Sequence, residues 1–258
     1  NGSNLLTQAV TLANVPAEPL PDIEEPGLPE LVSIAEARTQ PAGTLVTVEG
    51  VATTEPGIFG AQAFYLQDDT AGIYVYQTLS GFRQGDKIKI TAPLELYNTE
   101  LELTTPVSIA KTGAASLPEA VPVERIDDSN QGRLVELRQV EIQNIVAASP
   151  SGSFEFDAVS GTVSNHVRVD VRTGLGLSEF PYEEGQVVDI KGVSAIFRGL
   201  FQIKPRGLND IALAAVPLSE VALEASATTL RTGETAGTTI SGVLADGTPA
   251  DLGAAAVD

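Results

Sequence analysis

The sequence has no cysteine, no methionine and no tryptophan, and a single histidine among 258 residues. Without cysteine there is neither a disulfide framework nor a thiolate metal site, so stability has to come from packed cores alone. The lone His166 stands without a G-x-S-x-G turn, and the phosphate-binding glycine loop, the H-E-x-x-H helix and the D-x-[DN]-x-[DN]-G loop are all missing. The chain therefore reads as non-catalytic, with His166 a surface or half-buried strand residue. No run of about 18 apolar residues occurs, so no membrane-spanning helix is expected, and no signal peptide stands at the start. The missing methionine, initiator included, predicts a processed chain or an excised piece of a longer protein, which suits secretion.

What is present is acidic and rich in turn formers. Thirty-four acidic residues against fifteen Lys and Arg give a net charge of −19. Such a chain stays soluble and repels phosphate backbones at long range, which disfavours non-specific nucleic-acid binding. High acidity also suits Ca²⁺ binding through carboxylates. With 24 Gly and 16 Pro between short β-branched runs, the pattern predicts an all-β chain of many short strands.

Along the chain, residues 1–30 read as a short N-terminal strand followed by a Pro/Glu linker. Ser33 to Arg38 reads as one helical turn, with Ser33 as N-cap and Glu36 closing a capping box. Strand-like runs follow at Leu45–Val51, Ala63–Gln67, Gly72–Gln77, Asp86–Thr91 and Glu100–Thr104, with a hairpin turn at Asp68–Gly72. Five strands in about 65 residues fit a small closed barrel.

The order then recurs. Gly43–Val48 matches Gly132–Leu137, Gln84–Ile90 matches Glu184–Ile190, Tyr97–Leu101 matches Phe197–Phe201, and each copy closes on a proline, Pro106 or Pro205. The offset grows from about 90 to about 100 residues, so the second copy carries an insertion, expected near Pro150–Gly152 and Ser160–Gly161. The motifs around Gly43–Thr53, Phe64–Tyr76 and Gly85–Leu103 resemble the OB-fold repeats of secreted, multidomain bacterial phosphoesterases and nucleases. That resemblance implies two tandem OB-like five-stranded barrels, at 31–116 and 117–214, acting as an accessory segment beside an enzymatic domain elsewhere.

Residues 215–258 look like the opening strands of an immunoglobulin-like module, and 43 or so residues are too few to complete a sandwich. An N-terminal strand with Leu6, Gln8, Val10 and Leu12 on one face is a candidate to complete it by strand donation.

Candidate binding residues follow from period-two alternation. If Phe64, Leu66, Ile73 and Val75 face the barrel interior, then Tyr65, Tyr74 and Tyr76 face outward as an aromatic platform, with Tyr97 at its edge. Such a platform stacks on bases or sugar rings, or else packs against the next domain. In the second copy Val167, Val169 and Val171 would face inward, leaving Arg168, Asp170 and Arg172 outward opposite Glu155. Two arginines there are candidates to grip phosphate or sulfate, or to pair with their acidic neighbours. Asp68 and Asp69 are candidate Ca²⁺ ligands or simple turn residues; no other cofactor is expected.

The reading that follows is a ligand-binding or positioning module of a secreted or surface-anchored bacterial enzyme. Its expected partners are single-stranded nucleic acid or glycan and other domains of the same protein, without membrane insertion. The alternative is an extracellular surface or filament subunit that assembles with its own copies by strand complementation.

Overall fold

Short β-branched runs broken by glycine and proline fold here into strands, with almost no helix. The computed structural model describes residues 27–216, 218–225, 229, 231–245 and 247–250. One helical turn, α1 (Ile34–Arg38), precedes β1 (Leu45–Ala52), β2 (Phe64–Gln67), β3 (Gly72–Tyr76), β4 (Asp86–Tyr97), β5 (Glu100–Thr104) and β6 (Ser108–Ala114). The second set is β7 (Val121–Pro122), β8 (Leu134–Ala147), β9 (Phe154–Ser160), β10 (Val163–Val169), β11 (Val187–Phe197), β12 (Leu200–Lys204) and β13 (Ile211–Leu213). A last pair, β14 (Leu218–Ala225) and β15 (Thr238–Leu244), follows.

Strand order makes each set a closed barrel. The first runs β1-β2-β3-β5-β4, and β4 pairs back onto β1; the second runs β8-β9-β10-β12-β11, and β11 pairs back onto β8. Within each, one contact is parallel, β3 with β5 and β10 with β12, as a Greek-key connection demands. Five strands in this order are the OB architecture, present twice in tandem. β6 and β13 lie at matching places, each an extra strand on the fourth strand of its barrel.

Each barrel has its own core. Phe64, Leu66, Ile73, Val75, Ile88 and Ile90 fill the first, and Ile34 and Ala37 of α1 plug its end. Phe154, Phe156, Val167, Val169, Val188 and Ile190 fill the second, where Phe180 packs with ring centroids 4.8 Å from Phe154 and 5.5 Å from Phe156. At roughly 1.5–3 kcal/mol for each large apolar side chain removed from water, such sets are sufficient to hold a barrel without cross-links.

Three local expectations need correction. Ser33 does cap α1 by accepting the Glu36 N–H at 3.1 Å, but the second cap comes from Asp68, whose Oδ2 accepts the Ile34 N–H at 2.8 Å. The capping box is thus replaced by a link from the β2–β3 turn. The extra length of the second copy lies less in its turns than in its strands, since β8, β9 and β10 have 14, 7 and 7 residues against 8, 4 and 5 in β1, β2 and β3. Val171 does not continue the inward row. The strand stops at Val169, and Asp170 caps a short 3-10 turn by accepting the Arg172 N–H at 3.0 Å.

Beyond Leu213, the described residues form one two-stranded antiparallel sheet, β14 with β15, extended by a bridge from Val243 to Pro249. The expected N-terminal donor strand, Leu6 to Leu12, lies outside the described residues.

Candidate site in the cleft between the barrels

The barrels are docked through backbone as well as side chains. A Cβ placed on Gly72, at the start of β3, would stand 2.0 Å from the carbonyl oxygen of Gly132, and one on Gly132 would stand 2.4 Å from Gly72 C. Only glycine permits that approach. Beside it the Gln67 side chain accepts the Leu134 N–H at 2.8 Å, and Arg38 donates to the Gly72 carbonyl at 3.2 Å and to Gln131 Oε1 at 2.6 Å. An apolar seam of Phe59, Ala63, Tyr65, Tyr74, Leu134, Val193 and Ala195 joins the two outer faces.

That seam answers the question left by the tyrosines. Alternation does carry Tyr65 and Tyr74 out of the barrel core, but into the neighbouring barrel. Tyr65 is 0% exposed, its ring 4.8 Å from that of Tyr74, and its hydroxyl donates to Glu100 Oε1 at 2.8 Å. Tyr74 is buried beside it, its hydroxyl directed at the Phe59 carbonyl at 3.4 Å. Only Tyr76, 44% exposed, faces solvent, so the three-tyrosine platform does not exist as a surface.

At the edge of the seam a cleft of about 280 Å³ opens between the barrels. The first barrel lines it with Phe59, Tyr74, Tyr97, Glu100 and Glu102; the second with Glu155, Arg168, Asp170, Phe197, Gln202 and Lys204. Tyr97 and Phe197 are equivalent residues, the last of β4 and of β11, and they form the lips, 59% and 45% exposed. Each begins a two-residue hairpin turn, Asn98–Thr99 and Arg198–Gly199, with positive φ at all four residues. Glycine takes this conformation readily and the β-branched Thr99, at φ 73°, does not. The strain is tied in place by the partner hairpin. Arg198 N–H donates to the Asn98 carbonyl at 2.6 Å, and Gly199 N–H to Thr99 Oγ1 at 2.8 Å.

The floor of the cleft is strongly polar for a place so buried. Glu102 is only 5% exposed, and burial, with Glu100 and Glu95 nearby, pushes its carboxyl up to about 7. Burial also raises Glu100, opposed by Lys204, the Tyr65 hydroxyl and Arg38. Lys204 is pushed down to about 8 by burial, against the pull of Glu100 and Asp170. Its Nζ lies 4.0 Å from the centre of the Phe59 ring and 5.8 Å from that of Tyr65. Desolvation dominates at all three groups. Sequence reasoning missed Glu100, Glu102 and Lys204. The available signal was a comparison of the aligned copies, where Glu100, Glu102 and Thr104 face Leu200, Gln202 and Lys204.

The remaining candidates are spoken for. Arg168 pairs across the strands with Glu155, as its register predicts, and forms one wall of the cleft. Arg172 grips Asp170 through Nε at 2.9 Å and an Nη at 2.7 Å, so it offers no vacant fork to phosphate. Asp68 is a structural turn residue. One carboxylate oxygen accepts the Thr70 and Ala71 N–H groups, both at 2.8 Å, and the Thr70 hydroxyl; the other holds α1. These donors occupy the oxygens a Ca²⁺ ion would need, leaving Asp69 as a single exposed ligand. Among the described residues no group of three His, Asp or Glu side chains is placed to hold a metal. His166 sits on β10 outside the cleft, 3.8 Å from Glu155 and 3.9 Å from Asp157.

No family model matches the chain, and no curated protein matches its sequence. Solved structures with some likeness include the HINb domain of p204, at 13% identity and a TM-score of 0.32, covering 63% of this chain and 93% of that one. Another is a replication protein A heterotrimer bound to ssDNA, at 11% and 0.26, covering 72% and 69%. A third is the single-stranded DNA binding protein from Thermus aquaticus, at 10% and 0.25, covering 70% and 97%. Likeness at this level carries no argument about ligand, and the barrel assignment rests on the strand order above.

Proposed function

We propose that this chain is a non-catalytic binding module that takes a glycan in the cleft between its barrels. The observation that carries the reading is the pairing of Tyr97 and Phe197 as exposed aromatic lips over a floor of Glu102, Gln202 and the Arg168–Glu155 pair. Aromatic faces stack on the apolar faces of sugar rings, while carboxylates and amides take hydroxyl hydrogen bonds. The β4–β5 and β11–β12 hairpins that supply the lips belong to the loop class with which OB folds hold oligosaccharides and oligonucleotides. Four carboxylates in the lining and a net charge of −19 weigh against a phosphate backbone.

Such a module serves a larger protein by lending affinity or position, and an extracellular or cell-surface setting as part of a multidomain enzyme suits the acidity. A second reading, a structural subunit, draws on the β14–β15 pair, where Val221, Leu223, Ile240 and Val243 are exposed. Binding of the chain to immobilised polysaccharides and single-stranded oligonucleotides, at two salt concentrations, tests the first reading. We expect salt-insensitive glycan binding that falls at least about tenfold in Tyr97→Ala/Phe197→Ala. Oligonucleotide binding that weakens steeply with salt would replace the glycan with nucleic acid. Concentration-dependent polymers without binding to either would favour the structural subunit.

A further inference from the structure

We propose that Lys204 is a reactive amine that forms an imine with the aldehyde or ketone group of a small molecule entering the inter-barrel cleft. Three features of its placement carry this. Its Nζ lies over the Phe59 ring, with Tyr65 next to it, so aromatic surface covers one side of a half-buried amine. It lines an open cleft of about 280 Å³, so a small carbonyl compound has a route to it. And its Nζ, unlike its backbone, which pairs with Val193, makes no hydrogen bond or ion pair among the described residues.

The other four lysines make the contrast. Lys87, Lys111 and Lys191 are about half exposed and pair with Glu49, Asp86 and Glu136, and Lys89 is exposed. A desolvated lysine near other cations keeps a larger share of neutral amine, the nucleophilic form. The groups acting on Lys204 are Glu100 on β5, Arg168 on β10, and Asp170 and Arg172 just beyond it; with burial they place its titration at about 8. At pH 7 that leaves roughly one amine in ten neutral, against roughly one in 2,500 for an ordinary lysine.

The chemistry balances without an oxidant. The Nζ lone pair attacks the carbonyl carbon, the oxygen takes a proton as nitrogen gives one up, and the carbinolamine loses water to leave the C=N bond. Glu100, the carboxyl in the same lining whose charge acts on Lys204 and which burial raises above its ordinary value, is the group suited to protonate the departing hydroxyl.

The test is reductive trapping of propionaldehyde by cyanoborohydride on the intact chain, with peptide mass mapping of all five lysines against time and pH. We expect Lys204 to be labelled at least about tenfold faster than the other four at pH 7, with a rate that levels above about pH 8. Phe59→Ser, which admits water beside the amine, should erase most of that lead. Labelling of Lys204 no faster than of Lys87 or Lys89 overturns the proposal, and so does a rate that keeps climbing with pH as theirs does. No polysaccharide is present in the assay, so its failure would leave the glycan reading standing, and failure of glycan binding would leave this one standing.

Discussion

The two barrels share one strand order and put it to different use. At the equivalent turn and fifth strand, the first carries Glu100, Glu102 and Thr104, and the second Leu200, Gln202 and Lys204. Had both kept the same residues, docking would have brought like charges together in a buried place. Instead, at these positions the acids come from the first copy and the amine from the second, and the cleft lined by both barrels is asymmetric. The strand order is common to both barrels, and the cleft's asymmetry comes in part from these three positions.

The comparison can be broken most severely at its closest point. Gly72→Ala pushes a methyl carbon into the Gly132 carbonyl, and the backbone cannot yield as a side chain would. We expect a loss of about 3 kcal/mol or more, with one calorimetric transition splitting into two as the barrels part. A single unshifted transition would show that the docking contributes nothing. Next comes Tyr65→Phe, which strips the hydroxyl that donates to the half-buried Glu100 carboxylate. About 2 kcal/mol should be lost in denaturant unfolding at neutral pH, and less in acid, where Glu100 takes a proton.

Making the barrels more alike should stabilise the molecule. In Glu102→Gln the first barrel takes the residue of the second. Burial raises the folded carboxyl to about 7 from its ordinary value near 4.5, so its contribution is intact below about pH 4.5 and is lost as pH rises through about 7. The variant should therefore be about 2 kcal/mol more stable than the parent at pH 8, and the two should converge by pH 4.5, as followed by thermal unfolding. A gap constant across that range would mean that Glu102 is not desolvated. Smallest is Asp68→Ala, which removes a turn and helix cap for which the second barrel uses Asp127 and Asn165 instead. About 1 kcal/mol should go, and millimolar Ca²⁺ should leave the parent's melting temperature unmoved.

Much of the fold was legible because strand chemistry is local. Val46 and Val48, Ile88 and Ile90, Val167 and Val169 announce inward rows by alternation alone, and the glycine-led repeats fix the copy number. The docking was not legible. An outward Tyr65 looks the same whether it meets water or another barrel, and what decides is a contact with Leu134, 69 positions further on. Tyr97 was named only as the edge of a tyrosine platform, and its equivalent Phe197 was passed over although it lay in the aligned motif. Lys204 was hidden for a different reason. Beside Pro205 it reads as the end of a strand, and its peculiarity arises only from Phe59, 145 residues earlier.

The meeting of Gly72 and Gly132 also works as a gauge. Because main chain touches main chain there, the approach of the two barrels at that point is set by backbone, while the seam around Tyr65, Tyr74 and Leu134 still depends on side-chain packing. The lips at Tyr97 and Phe197 take no part in that contact, so exchanging their side chains would alter the lining of the cleft and leave the backbone contact in place.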